Sequence, residues 1–157
     1  MVDYNQNKII LRSEEDTHHL AQEFSLVIRL PLIVYLIGGL GAGKTFFVRS
    51  LLQALDFSGN VKSPTYSFLE TYHTDIGLIN HFDLYRFGYA LEWYDLGFDD
   101  VVDTHSVNLI EWPEKISGID LNPDIILNID CKGLTRYVDI EGYSTRGREL
   151  VDQWIVR

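Results

Sequence analysis

Eight residues, Gly38-Gly39-Leu40-Gly41-Ala42-Gly43-Lys44-Thr45, constrain this chain more than any others. They read G-x-x-x-x-G-K-[ST], the phosphate-binding loop pattern, whose meaning depends on a strand before it and a helix after it. Both are present. Leu32-Ile33-Val34-Tyr35-Leu36-Ile37 is an apolar, β-branched run suited to a strand buried on both faces. Phe46, Phe47, Val48, Leu51, Leu52 and Leu55 then recur at helical spacing. Phosphate oxygens must approach the backbone closely, so the loop needs glycines that add no Cβ and tolerate positive φ. Amides around Gly41, Ala42 and Gly43 form an anion nest, reinforced by the positive end of the helix. Lys44 then reaches the β- and γ-phosphates, and the Thr45 hydroxyl is a Mg²⁺ ligand. The loop is therefore expected to hold a nucleoside triphosphate with Mg²⁺.

A chain of 157 residues suits one domain, 1–157, with length enough for a core. Its 13 basic and 23 acidic residues give a net charge of −10. Proteins that grip nucleic acid by its phosphates carry a basic face, and no Lys/Arg cluster occurs here, so strong direct binding of RNA or DNA is not expected. The lone Cys131 has no disulfide partner within the chain and reads as a small, half-buried apolar residue. No stretch approaches a membrane span and the N-terminus lacks a signal-peptide pattern, so a cytoplasmic protein is expected.

Residues 8–12 read as a short edge strand. Ser13 followed by Asp16 resembles a capping box and opens a helix through Thr17, Leu20, Ala21, Phe24 and Val27. His18 and His19 point about 100° apart on that helix and read as solvated residues rather than metal ligands. After the loop helix, residues 61–66 admit two readings: a loop leading into a strand from Tyr66 to Tyr72, or a switch segment whose Ser63 and Thr65 hydroxyls sense the γ-phosphate. Residues 78–83 and 106–111 are two further apolar strands, ending in Asp83 and Glu111. Ligands of open α/β sheets bind beyond the carboxyl ends of strands, so these acids are candidates for holding Mg²⁺ and orienting the attacking water. Either alone also suits a helix cap or a surface ion pair. Between them, residues 90–102 read as short helices over the sheet. Trp112 either faces the site or fills the core, and Pro113 starts a helical turn. Residues 125–129 and 136–140, joined at Lys132-Gly133, form an antiparallel hairpin at one edge of the sheet. An amphipathic helix from Thr145 to Val156 closes the chain. The fold class is therefore α/β, a P-loop NTPase-like mixed β-sheet flanked by helices.

Taken together, Gly38 to Thr45, Val61-Lys62-Ser63-Pro64-Thr65-Tyr66, His81-Phe82-Asp83-Leu84-Tyr85-Arg86 and Glu111-Trp112-Pro113 resemble the TsaE family in order and spacing, from about Ser13 to Ile140. This is the small bacterial P-loop ATPase of the tRNA threonylcarbamoyladenosine pathway. The resemblance implies a protein that binds ATP with Mg²⁺ and hydrolyses it slowly alone. It implies work with TsaB and TsaD, which build the modification next to the anticodon, with hydrolysis resetting that complex. By the resemblance Lys44, Asp83, Glu111 and Thr65 carry the chemistry, and Thr45, Glu111 and Asp83 hold the metal. The nucleotide lies on Gly38, Gly39, Leu40, Gly41, Ala42, Gly43, Lys44, Thr45 and Phe46. Asp83, Trp112, Thr17 and Arg136 complete that set.

The chain departs from the family twice. Gly39 stands where the family usually has Asp after the first glycine, and Phe46 where it usually has a second Thr; the first bears on hydrolysis and metal affinity. Rival readings are a small nucleoside or nucleotide kinase, a GTPase switch and an ATP-bound scaffold that does not hydrolyse. Kinases need clamping arginines from a lid, and those after the loop helix are few: Arg86, Arg136, Arg146, Arg148 and Arg157. A GTPase carries N/T-K-x-D, which is absent. The Gly39 departure keeps the scaffold reading open.

Overall fold

A computed structural model describes residues 2–5, 7–102 and 105–155. The chain runs through β1 (Asp3–Asn5), β2 (Lys8–Leu11), α1 (Glu14–Val27), β3 (Leu32–Ile37), α2 (Lys44–Ala54), β4 (Leu69–Thr74) and β5 (Gly77–Asp83). It continues with α3 (Glu92–Asp95), α4 (Phe98–Val101), β6 (Ser106–Glu111), a 3₁₀ turn (Pro113–Ile116), β7 (Ile125–Lys132), β8 (Thr135–Gly142) and α5 (Thr145–Ile155). Val156, expected to end the last helix, and Arg157 lie outside the described residues. One sheet has the order β1-β2-β8-β7-β3-β6-β5-β4. Its centre is parallel, β7-β3-β6-β5, and the outer pairings are antiparallel.

This topology positions the site. The parallel register sets Leu36 beside Glu111 and Glu111 beside Asp83, so β3, β5 and β6 finish in one row. The glycine loop leaves β3 at that same end. Helices α1, α2 and α5 cover one face over Leu32, Val34, Leu36, Leu109 and Leu127. A second cluster around Phe82, Trp93, Phe98 and Ile110 packs on the other.

Several expectations need correcting. The C-terminal hairpin forms as β7 and β8, but it is not the sheet edge: β2 pairs with β8, and β1 lies outside β2. Backbone N–H and C=O groups on the outer side of β8 take β2 as their partner. Strand β3 buries only Leu32, Val34 and Leu36 fully, because the short α3, α4 and 3₁₀ turn leave Ile33, Tyr35 and Ile37 half-covered. The strand expected from Tyr66 starts at Leu69. Pro64 to Phe68 form a turn instead, the Phe68 N–H donating to the Pro64 carbonyl at 2.7 Å with Phe68 at φ 66°. Cys131 is exposed rather than half-buried.

Candidate functional site

The glycine loop is shaped by what each glycine must avoid. A Cβ on Gly38 would stand 2.6 Å from the Ile129 carbonyl oxygen, so the loop presses directly on β7. Gly41 and Gly43 have φ of 75° and 108°, left-handed values that disfavour any side chain. Gly39 is different. It is exposed, has no positive φ, and a Cβ there meets nothing within 4 Å. The Ala42 N–H closes the turn on the Gly39 carbonyl at 3.1 Å, and Gly43 leads directly into α2.

Lys44, the first residue of α2, is only 4% exposed. Its ammonium donates to the Gly38 carbonyl and lies 3.8 Å from the centre of the Trp112 ring. Burial lowers its pKa, against the opposing pull of Glu111, Asp83 and Glu114. Trp112 adopts φ 59° and ψ 49° at the start of the 3₁₀ turn, which swings its ring over Lys44. Both sequence alternatives for Trp112 therefore meet in one place: a half-buried ring that faces the loop lysine.

Next to Lys44, Thr45 Oγ1 donates to Glu111 Oε2 at 2.9 Å. Asp83, one strand over, accepts the Tyr85 N–H at 3.0 Å. Burial raises the Asp83 pKa, a shift that the Tyr85 hydrogen bond opposes. Thr65 lies half-buried at the mouth, 2.7 Å from the Ser63 hydroxyl. Thr65, Asp83, Glu111, Trp112, Lys44 and Thr45 share one cavity of about 710 Å³. Its far wall comes from elsewhere: Thr17 and Leu20 of α1, Phe46 and Phe47 of α2, and Leu134, Arg136 and Val138 at the hairpin. The Arg136 Nε donates to the Ala42 carbonyl at 2.9 Å, tying the hairpin to the loop. Leu40, Gly41, Ala42 and Gly43 also line the cavity; Gly38 supports the loop from behind and Gly39 faces outward.

Glu111 has another partner that sequence reasoning missed. His81 Nε2 lies 2.5 Å from Glu111 Oε2. A signal was available: strand period places His81 and Asp83 on one face of β5. His18 is half-buried against Phe46, ring centres 5.0 Å apart, so only His19, which pairs with Glu23 at 3.4 Å, matches the solvated expectation.

With this geometry established, comparison with known proteins is informative. A sequence model of the family described as "Threonylcarbamoyl adenosine biosynthesis protein TsaE" matches residues 11–138. A Haemophilus influenzae protein named tRNA threonylcarbamoyladenosine biosynthesis protein TsaE is 42% identical over 120 residues, 76% of each chain. The chain belongs to the TsaE family. An Aquifex aeolicus protein of the same name is 37% identical over 125 residues, 78% of this chain and 86% of its own. The crystal structure of YdiB from Bacillus subtilus superposes with a TM-score of 0.76, covering 98% of this chain and 95% of that one; at 23% identity it speaks to the fold alone.

The donor set of this TsaE member fits Mg²⁺ carried on phosphates. Among the described residues no three His, Cys, Asp or Glu side chains form a metal-holding cluster. A phosphate-borne Mg²⁺ needs only one or two carboxylates, the remaining positions being phosphate oxygens and water. Thr45, Glu111 and Asp83 offer that number of oxygens beside a loop whose glycines leave room for phosphate.

Proposed function

We propose that this protein is a Mg²⁺-dependent ATPase that supports threonylcarbamoyladenosine modification of tRNA by acting with TsaB and TsaD, as a cytoplasmic protein. The observation that carries the reading is the single row formed by Lys44, the Thr45–Glu111 pair and Asp83 at the carboxyl ends of three parallel strands. Lys44 and the loop amides would hold the phosphates, Thr45 and Glu111 the metal, and Asp83 the metal or the attacking water. Bound Mg²⁺ supplies charge neutralisation at the phosphates. Thr17, Phe46 and Arg136, on the far wall, would contact the rest of the nucleotide.

The kinase alternative is disfavoured by where the arginines are. Arg136 is engaged by Ala42, Arg86 lies over the Tyr66 ring at 4.9 Å, Arg146 donates to the Leu30 and Pro31 carbonyls, and Arg148 to the Tyr143 carbonyl. Among the described residues these contacts fasten the fold or its surface and form no phosphoryl-clamping lid.

The test is ATP hydrolysis with Mg²⁺, measured with and without TsaB and TsaD. Low activity that rises when the pair is added is the expected result. ATP binding without hydrolysis in either case would favour the scaffold reading, and absence of ATP binding would overturn the assignment of the loop.

A further inference from the structure

Glu111 is held in an unusual way. Among the described residues both polar contacts of its side chain arrive at one oxygen: Oε2 accepts from Thr45 Oγ1 at 2.9 Å and lies 2.5 Å from His81 Nε2, while Oε1 has none. His81 is wholly buried, on β5 between β4 and β6, and among the described residues its Nδ1 has no partner. That orphan nitrogen decides the tautomer. A proton on Nδ1 would be a buried donor with nothing to receive it, whereas a proton on Nε2 is satisfied by Glu111 and leaves Nδ1 as a bare acceptor.

We propose that His81 is a positioning residue for the metal, its Nε2–H fixing the Glu111 carboxylate so that the free Oε1 is presented to Mg²⁺. The proposal rests on the Mg²⁺·ATP reading of the site. Under that reading Thr45 turns a lone pair of its hydroxyl oxygen to the metal while its O–H can still donate to Glu111, so this anchor is itself tied to the metal. His81 is the partner of Glu111 that does not itself touch the metal. It is wholly buried on β5, which is hydrogen-bonded to β4 on one side and β6 on the other, so it holds the carboxylate in one orientation rather than merely satisfying an acceptor. Carboxylates that ligate metals depend on such outer partners, whose loss costs about 10- to 100-fold in metal affinity or activity. A histidine that only fills the core would have no such effect on the metal.

The distinguishing measurement is the gain in affinity for a non-hydrolysable ATP analogue when Mg²⁺ replaces EDTA, obtained by calorimetry for the wild type, His81→Leu and His81→Gln. His81→Leu keeps volume but removes the donor; the expected result is unchanged affinity in EDTA and a Mg²⁺-dependent gain reduced about 10- to 100-fold. His81→Gln restores a donor and part of the gain. A folded Leu variant with the full wild-type gain overturns the proposal and leaves the ATPase reading standing. A wild type with no Mg²⁺-dependent gain removes that reading as well. Should the Leu variant fail to fold, ¹⁵N NMR of the wild-type imidazole decides: a proton on Nε2 supports the proposal, and a proton on Nδ1 overturns it.

Discussion

Gly38 and Gly39 are neighbours with opposite tolerances. Gly38→Ala would drive a methyl into the Ile129 carbonyl oxygen and within 3.1 Å of the Ala42 Cβ, and backbone cannot step aside as a flexible side chain would. Loss of about 1–3 kcal/mol of stability and of nucleotide binding is expected, read by denaturant unfolding and calorimetry. Gly39→Asp, the residue the family resemblance implies there, meets open space on ordinary backbone. It should change stability by less than about 0.5 kcal/mol. Its new charge should repel metal-free ATP and attract Mg²⁺, so affinity in EDTA falls while the Mg²⁺-dependent gain rises. Unchanged values in both conditions would mean that the Gly39 departure has no bearing on the site. At this scale the loop was legible because its pattern is local in sequence. The same holds for Asp83 and Glu111, each marked by the end of an apolar run. The His81–Glu111 contact was not, because it joins two strands 30 positions apart, and only their register brings the groups together.

Helix α5 shows how an element remote from the site holds the layer above it. The indole N–H of Trp154 donates to the Leu20 carbonyl at 3.1 Å, and its ring stacks on Phe24 at 4.2 Å, so α5 secures α1. Helix α1 supplies Thr17 to the cavity wall. The start of α5 touches the Asp124 backbone so closely that a Cβ on Gly147 would overlap its carbonyl oxygen at 1.7 Å. Gly147→Ala therefore gains helix propensity, worth about 0.5–1 kcal/mol, but must displace the helix. The clash should win, with a net loss of about 1–3 kcal/mol measured by urea unfolding. A stabilised variant would show that the helix start can shift without cost. Periodicity made α5, α1 and α2 legible beforehand. It failed at the entry to β4, where Tyr66 and Phe68 have strand-like side chains but the Pro64 carbonyl captures the Phe68 N–H into a turn. The Phe68 carbonyl then accepts the Asp83 N–H at 2.9 Å, so the segment bearing Thr65 is pinned to a site strand by a contact that no local pattern encodes.

At the scale of the whole molecule, the fold and the chemistry are separable, and Lys44 is where that separation can be tested. The order of the strands was only partly readable: a mixed sheet flanked by helices was expected, yet nothing local said that the N-terminal strands would cover the hairpin. What the completed sheet produces is one end where a buried cation faces carboxylates in a strongly acidic protein. Burial lowers the Lys44 pKa, so the group favours the folded state above its unfolded pKa, and that contribution is lost as pH falls through the folded value. The charged ammonium therefore carries a desolvation cost that Glu111, Asp83 and Glu114 offset only in part, and phosphate would add to that offset on binding. Lys44→Met keeps the length of the side chain and its contact with Trp112 while removing the charge. Its unfolding midpoint at neutral pH should equal or exceed that of the wild type, and ATP binding should vanish. Binding that persisted in a folded variant would sink the phosphate role of Lys44. A large drop in stability would instead mean that the contacts to the Gly38 carbonyl and the Trp112 ring outweigh the desolvation, and that the loop depends on its lysine even without nucleotide.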